Sequence, residues 1–147
     1  MRISLPPFLG PKKPFDRLRA RLTRGLEISA SKQAVARGDE LEATVTITDA
    51  GKLGDIEVGL VCTEAYAVSQ SSEDGHPSQG ITWDTAYEVW VPVQSVAGEQ
   101  TVRLQVPFDA PFSYAGTVLS FKWEVVARGL RKRRMDARAS CDIEVQP

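Results

Sequence analysis

From residue 26 onward, apolar and polar side chains alternate with a period of two, which puts every second residue on one face of a strand. Leu26, Ile28 and Ala30 alternate first. A turn through Ala36, Arg37, Gly38 and Asp39 then leads into Leu41, Ala43, Val45 and Ile47, with Glu40, Glu42, Thr44 and Thr46 assigned to water. Asp49, Gly51, Gly54 and Asp55 punctuate the chain before Ile56, Val58, Leu60 and Cys62. Tyr87, Val89, Val91 and Val93 make the next apolar face. Trp90 has the opposite parity, and Pro92, which cannot donate to a ladder, marks a strand end or a sheet edge. Val102, Leu104, Val106 and Phe108 follow, and after a corner at Pro107 and Pro111 comes the most apolar face in the chain, Leu119, Phe121, Trp123, Val125 and Ala127. Its outward partners are Ser120, Lys122, Glu124 and Val126. Ala137, Ala139, Cys141, Ile143 and Val145 close the pattern.

About seven short strands with turns between them and one wet face each predict an all-β, antiparallel, immunoglobulin-like β-sandwich, with a closed barrel as the alternative. Residues 69–80, SQSSEDGHPSQG, carry no apolar surface and read as an exposed loop that holds His76. Only residues 14–24 have helical spacing: Phe15, Leu18 and Leu22 share a face, arginines occupy the others, and Gly25 can cap the end. An isolated helix that short is marginal, so it is expected to dock on the sandwich or to order on a partner. The chain thus divides into a basic N-terminal arm with a short amphipathic helix, 1–25, and a sandwich domain, 26–147.

Composition narrows the classes of function. The 147 residues are 42% hydrophobic and 25% charged, enough for one globular domain with its own core. The opening MRISLPPFLGPKKPF is too broken by proline for a signal peptide, and no run approaches the length of a membrane span. Cys62 and Cys141 both fall on apolar parity and read as buried, reduced thiols, so a cytoplasmic location is expected. His76 is the only histidine, which leaves no His/Cys zinc cage and one base for any triad, in a loop between Gly75 and Pro77. Glu73 and Asp74 lack calcium-loop spacing, and the glycines form no phosphate loop. The chain is therefore expected to be no enzyme and to hold no cofactor or metal.

The net charge of −1 hides a dipolar chain. Residues 1–24 carry seven basic side chains, among them Arg17, Arg19, Arg21 and Arg24, against Asp16 alone. A second basic cluster, Arg128, Arg131, Lys132, Arg133, Arg134 and Arg138, faces only Asp136, while 25–127 holds fifteen acids and five bases. Such segments steer acidic partners or anionic lipid, lie on the chain's own acidic surface, or are simply solvated. The stretch 128–134 has no aromatic residues interleaved with its basic ones, which argues against nucleic acid. Of the neighbouring aromatics Trp83, Tyr87 and Trp90, Tyr87 belongs to the core parity. Trp90 lies with Glu88 and Pro92 on the wet face and is the candidate contact aromatic.

The order of three segments, Gly38-Asp39-Glu40-Leu41, Ile56-Glu57-Val58-Gly59-Leu60 and Val106-Pro107-Phe108-Asp109-Ala110-Pro111-Phe112-Ser113, resembles that of a single arrestin-type domain. Among such domains it resembles the bacterial sporulation-control-type arrestin-like proteins, which also place a short segment ahead of the first strand. Asp39 stands where that family more often has Glu, and the polar core between the paired domains of eukaryotic arrestins has no counterpart here. The resemblance implies an arrestin-like sandwich with non-catalytic work, holding protein tails or assembly partners by loops or edge strands. The expected function is a binding or scaffold module that recognises a protein tail through an edge strand. Arg17, Arg19, Arg21, Arg24, Trp90, Arg131, Lys132, Arg133 and Arg134 are the expected contacts. The alternative is a peripheral membrane protein that reads anionic lipid through its basic arm. Homo-oligomers through sandwich edges are a further partner class.

Overall fold

The structure, a computed structural model, describes residues 25–71, 77–130 and 137–147. The expected arm and helix and the basic positions 131–134 lie outside the described residues. Within them the strands, in chain order, are β1 (Leu26–Ala30), β2 (Ala34–Ala36), β3 (Glu40–Ile47), β4 (Asp55–Ser71), β5 (Pro77–Val93), β6 (Gly98–Gln105), β7 (Tyr114–Ala115), β8 (Leu119–Leu130) and β9 (Ala137–Gln146). One 3₁₀ turn, Ala50–Lys52, joins β3 to β4.

The alternation resolves into two packed sheets. The smaller has the order β1-β3-β6; the larger runs β2-β9-β8-β4-β5, with β7 beside the start of β8. Their inner faces supply the core the periodicity predicts: Leu26, Leu41, Val45, Ile47 and Leu104 from one side, Val58, Leu60, Trp123, Val125 and Ile143 from the other. Trp123 is fully buried, and its indole N–H donates to the Pro111 carbonyl at 2.9 Å, which satisfies its one polar group. The Tyr87 ring lies 5.7 Å from it, tilted by 43°. Truncating Trp123 to alanine would cost roughly 3–5 kcal/mol.

One side of the sandwich is closed by the chain itself. After pairing antiparallel with β3, the first strand crosses over and β2 pairs parallel with β9 in the other sheet. On the opposite side β5 and β6 are the outermost strands. The Pro107–Ser113 stretch, legible as a corner in the sequence, caps one end: Ser113 exchanges two 2.8 Å hydrogen bonds with Val145, and Arg37 donates to the Ala110 carbonyl.

Four expectations need correction. Residues 69–71 and 77–80 belong to β4 and β5, so most of the expected loop is strand; a ladder needs backbone groups, not an apolar face. Phe108 leaves the alternation after Pro107 and is 85% exposed, its ring against Gly38, whose φ of +85° makes the preceding turn. Leu119 and Phe121 are only half-buried, because the smaller sheet ends before it reaches them. Val126, assigned to water, is fully buried on the outer face.

Candidate functional site

β5 is a strand of 17 residues that, among the described residues, is an edge paired through β4 on one side only. The direction of its backbone groups follows from one bond. The Ala67 N–H donates to the Val118 carbonyl at 2.8 Å, so Ala67 turns its backbone toward β8. Backbone groups alternate along an antiparallel strand, so Glu64 and Tyr66 turn toward β5. Their partners Asp84 and Thr82 are consequently engaged in the ladder, whereas Ile81, Trp83 and Thr85 direct N–H and C=O outward. By the same alternation the missing N–H of Pro92 points outward, where it removes no ladder bond.

The two halves of this edge differ. A bulge between Cys62 and Thr63 leaves Ala86 as an extra residue on β5, and beyond it Pro92 removes an outward donor. Both blunt the lower half, as edges are commonly protected. Above the bulge, residues 80–85 present three consecutive outward positions, and both Ile81 and Trp83 are 65% exposed. They share the outer face with Ala65 and Ala67, directly opposite in the register, whose small side chains leave the larger ones standing clear. Asp84 and Glu88 are the charged residues of β5, and both are exposed. An incoming strand therefore meets an apolar, acidic edge.

Trp90, the aromatic singled out in the sequence, lies on the outer face as its parity requires, but half-buried. It sits opposite Gly59, and a Cβ there would come within 2.5 Å of its Cε3, so the ring lies flat across the strand. This row continues into Val126, which explains that residue's burial. The Arg128 guanidinium stacks on the ring, 3.6 Å from its centroid, and is held by Glu57 at 3.2 Å. Glycine, tryptophan, arginine and glutamate thus form a clamp across β8, β4 and β5. The Trp90 Nε1 is buried without a hydrogen-bond partner among the described residues.

The other expected contacts, Arg17, Arg19, Arg21, Arg24, Arg131, Lys132, Arg133 and Arg134, lie outside the described residues. The described ends that lead to them are close together. Gly25 accepts from Thr48 beside Asp49, the turn that follows brings Leu53 against Gly129, and Gly129 pairs with Ala137. Both basic stretches therefore leave from one end of the sandwich, and residues 80–85 of β5 lie at the other. Ile81 and Trp83 were not among the expected contacts. The bulge at Ala86 flips their parity, and no sequence signal marks it.

Two titratable groups are shifted. Burial, reinforced by the Glu64 carboxylate, pushes the Cys62 thiol up to about 11, so it stays protonated and unreactive near neutral pH. Cys141 is buried in the same core. The Tyr66 hydroxyl donates to Asp84 at 3.0 Å, and that bond raises its pKa, with smaller contributions from the carboxylate charges.

No family model and no curated protein sequence matches this chain. Among solved structures it is similar to Spo0M, the sporulation control protein from Bacillus subtilis, with 18% identity and a TM-score of 0.55 over 84% of this chain and 50% of that one. The chain spans half the length of that protein, and the likeness is one of fold.

Proposed function

Given an arrestin-like β-sandwich, we propose that this protein is a non-catalytic binding module that takes up an extended segment of a partner protein by strand addition on residues 80–85 of β5. One observation carries this reading: a stretch of edge with outward backbone groups at three alternate residues, flanked by exposed Ile81 and Trp83, while the rest of the same edge is blunted. Main-chain bonds to the edge supply affinity, and Ile81 and Trp83 supply apolar contact on one face. Asp84 and Glu88 favour a segment that carries basic residues.

The test is retention of partners from native lysate by the full-length protein and by its Ile81→Pro variant. Proline at that position removes an outward N–H and no β4 ladder bond. A protein partner held by the wild type and lost by Ile81→Pro supports strand addition; equal retention by both refutes it.

A second reading is favoured by the departure of both basic stretches from one end of the sandwich. There Arg17 to Arg24 and Arg131 to Arg134 would act together on an anionic membrane, each charge near the surface contributing about 1 kcal/mol. Flotation with anionic but not neutral vesicles, abolished by salt, is the outcome this reading requires.

A further inference from the structure

The smaller sheet has an edge of its own. Among the described residues β6 pairs with β3 on one side only. That ladder runs without a break from Glu40 opposite Gln105 to Ile47 opposite Gly98. Unlike β5, β6 therefore carries no bulge, and its sequence, GEQTVRLQ, holds no proline or lysine to blunt it.

The direction of its backbone groups follows from β3. The Thr48 N–H donates to the Gly25 carbonyl at 2.9 Å and the Ser31 N–H donates to the Glu42 carbonyl at 2.8 Å, so Glu42, Thr44 and Thr46 turn their backbone toward β1. By alternation Leu41, Ala43, Val45 and Ile47 turn toward β6, where they engage Leu104, Val102, Gln100 and Gly98. Glu99, Thr101 and Arg103 consequently direct N–H and C=O outward. Their side chains are exposed on the outer face: Thr101 Oγ1 lies 3.1 Å from Thr44 Oγ1, and Arg103 reaches Glu42 at 3.9 Å.

We propose that β6 pairs antiparallel with β6 of a second copy of this chain about a two-fold axis at Thr101, joining the two smaller sheets into one. Charge assigns the occupant. Glu99 and Arg103 are the only charged residues of the strand, they have opposite sign, and each lies two positions from Thr101. With Thr101 opposite its own copy, Glu99 of each chain falls opposite Arg103 of the other, and each facing pair of outward residues exchanges two backbone bonds. An axis at Glu99 or at Arg103 sets like charges against each other, and an axis at Gln100 or Val102 sets both charges against neutral residues. One register therefore satisfies the strand, and it is self-complementary, as a two-fold interface requires. Arg103, already beside Glu42, then stands between two carboxylates, one from each copy. β6 follows β5 through residues 94–97, at the end of β5 away from residues 80–85, so this pairing is independent of strand addition there.

Sedimentation equilibrium of the full-length chain tests it, and the wild type is expected to show a reversible monomer–dimer equilibrium. Arg103→Glu and Glu99→Arg each set like charges opposite one another twice per dimer and are expected to weaken dimerisation at least about tenfold. Mixing these two variants restores a dimer, since one then carries two arginines and the other two glutamates at the facing positions. The double variant with Glu99→Arg and Arg103→Glu recovers dimerisation to within about threefold of wild type. Thr101→Pro removes an outward N–H and no bond to β3, and abolishes the dimer. All three positions are exposed, so the variants fold. Ile81→Pro leaves the dimer unchanged, which separates this edge from that of β5. A wild-type chain that is monomeric throughout overturns the proposal. So does a dimer indifferent to Arg103→Glu and Glu99→Arg, one lost with Ile81→Pro, or a mixture of the two charge variants that stays monomeric.

Discussion

Gly59→Ala tests the clamp on the outer face with the smallest possible change. The added methyl would stand 2.5 Å from Trp90 Cε3, 2.7 Å from its Cδ2 and 2.7 Å from the Val89 carbonyl oxygen. Carbon atoms rest about 3.5–4.0 Å apart, so the ring must retreat by about 1 Å, which disturbs the Arg128 guanidinium stacked 3.6 Å from its centroid. The Val89 oxygen is backbone within a ladder and cannot turn away. Gly59 has no left-handed φ, so alanine is penalised for space and not for backbone conformation. Overpacking of this kind costs about 1–3 kcal/mol. For a domain of this size that lowers Tm by roughly 2–10 °C. Guanidinium unfolding followed by tryptophan fluorescence measures it. Gly51→Ala, where the nearest atom is 3.7 Å away, serves as the control. In a Trp90→Ala background part of the cost disappears, with a coupling of at least about 0.5 kcal/mol. A Gly59→Ala protein within about 0.5 kcal/mol of wild type would refute the clamp.

Arg128→Ala removes both the stack on Trp90 and the bond to Glu57, two partly exposed interactions that together contribute about 1–2 kcal/mol. Arg128→Lys recovers less than half of this in urea unfolding, because an ammonium cannot stack as a planar group. Cys62, protonated up to about pH 11 in the fold, is expected to resist iodoacetamide at pH 8.5 and to react once the protein is unfolded. Its folded pKa lies above that of the unfolded thiol. The associated stability is therefore complete below the unfolded value and is lost as pH rises through the window from about 9 to about 11. Cys62→Ala removes that component, visible as a difference between the two stability curves.

The core was legible because parity is a local property. Leu41, Ala43, Val45 and Ile47 are buried as alternation requires, and so are Trp123, Val125 and Ala127. Pro92 could be placed at a strand end or a sheet edge from its missing donor alone, and it lies on the edge strand β5. What failed to show depends on register and on where the facing sheet stops. Trp83 has the parity of Tyr87 in the sequence, and only the extra residue Ala86 moves it to the outer face. Trp90 reads as a wet-face aromatic until Gly59 is known to lie opposite and Arg128 one row away. Leu119 and Phe121 continue the pattern of Trp123 without a break, yet they border an open groove because the smaller sheet ends earlier. The polar 69–80 stretch hid the hairpin's length, since a backbone ladder needs no apolar side chains to mark it.

Amide hydrogen exchange along β5, residue by residue by NMR, with and without the protein retained from lysate, tests strand addition most directly. In the protein alone the amides of Thr82 and Asp84 exchange slowly and those of Ile81, Trp83 and Thr85 rapidly, as their inward and outward directions dictate. With the partner bound, the three rapid amides become protected while the two slow ones change little. Protection that spares Ile81, Trp83 and Thr85 and falls elsewhere on the molecule would contradict the assignment of this edge as the binding site.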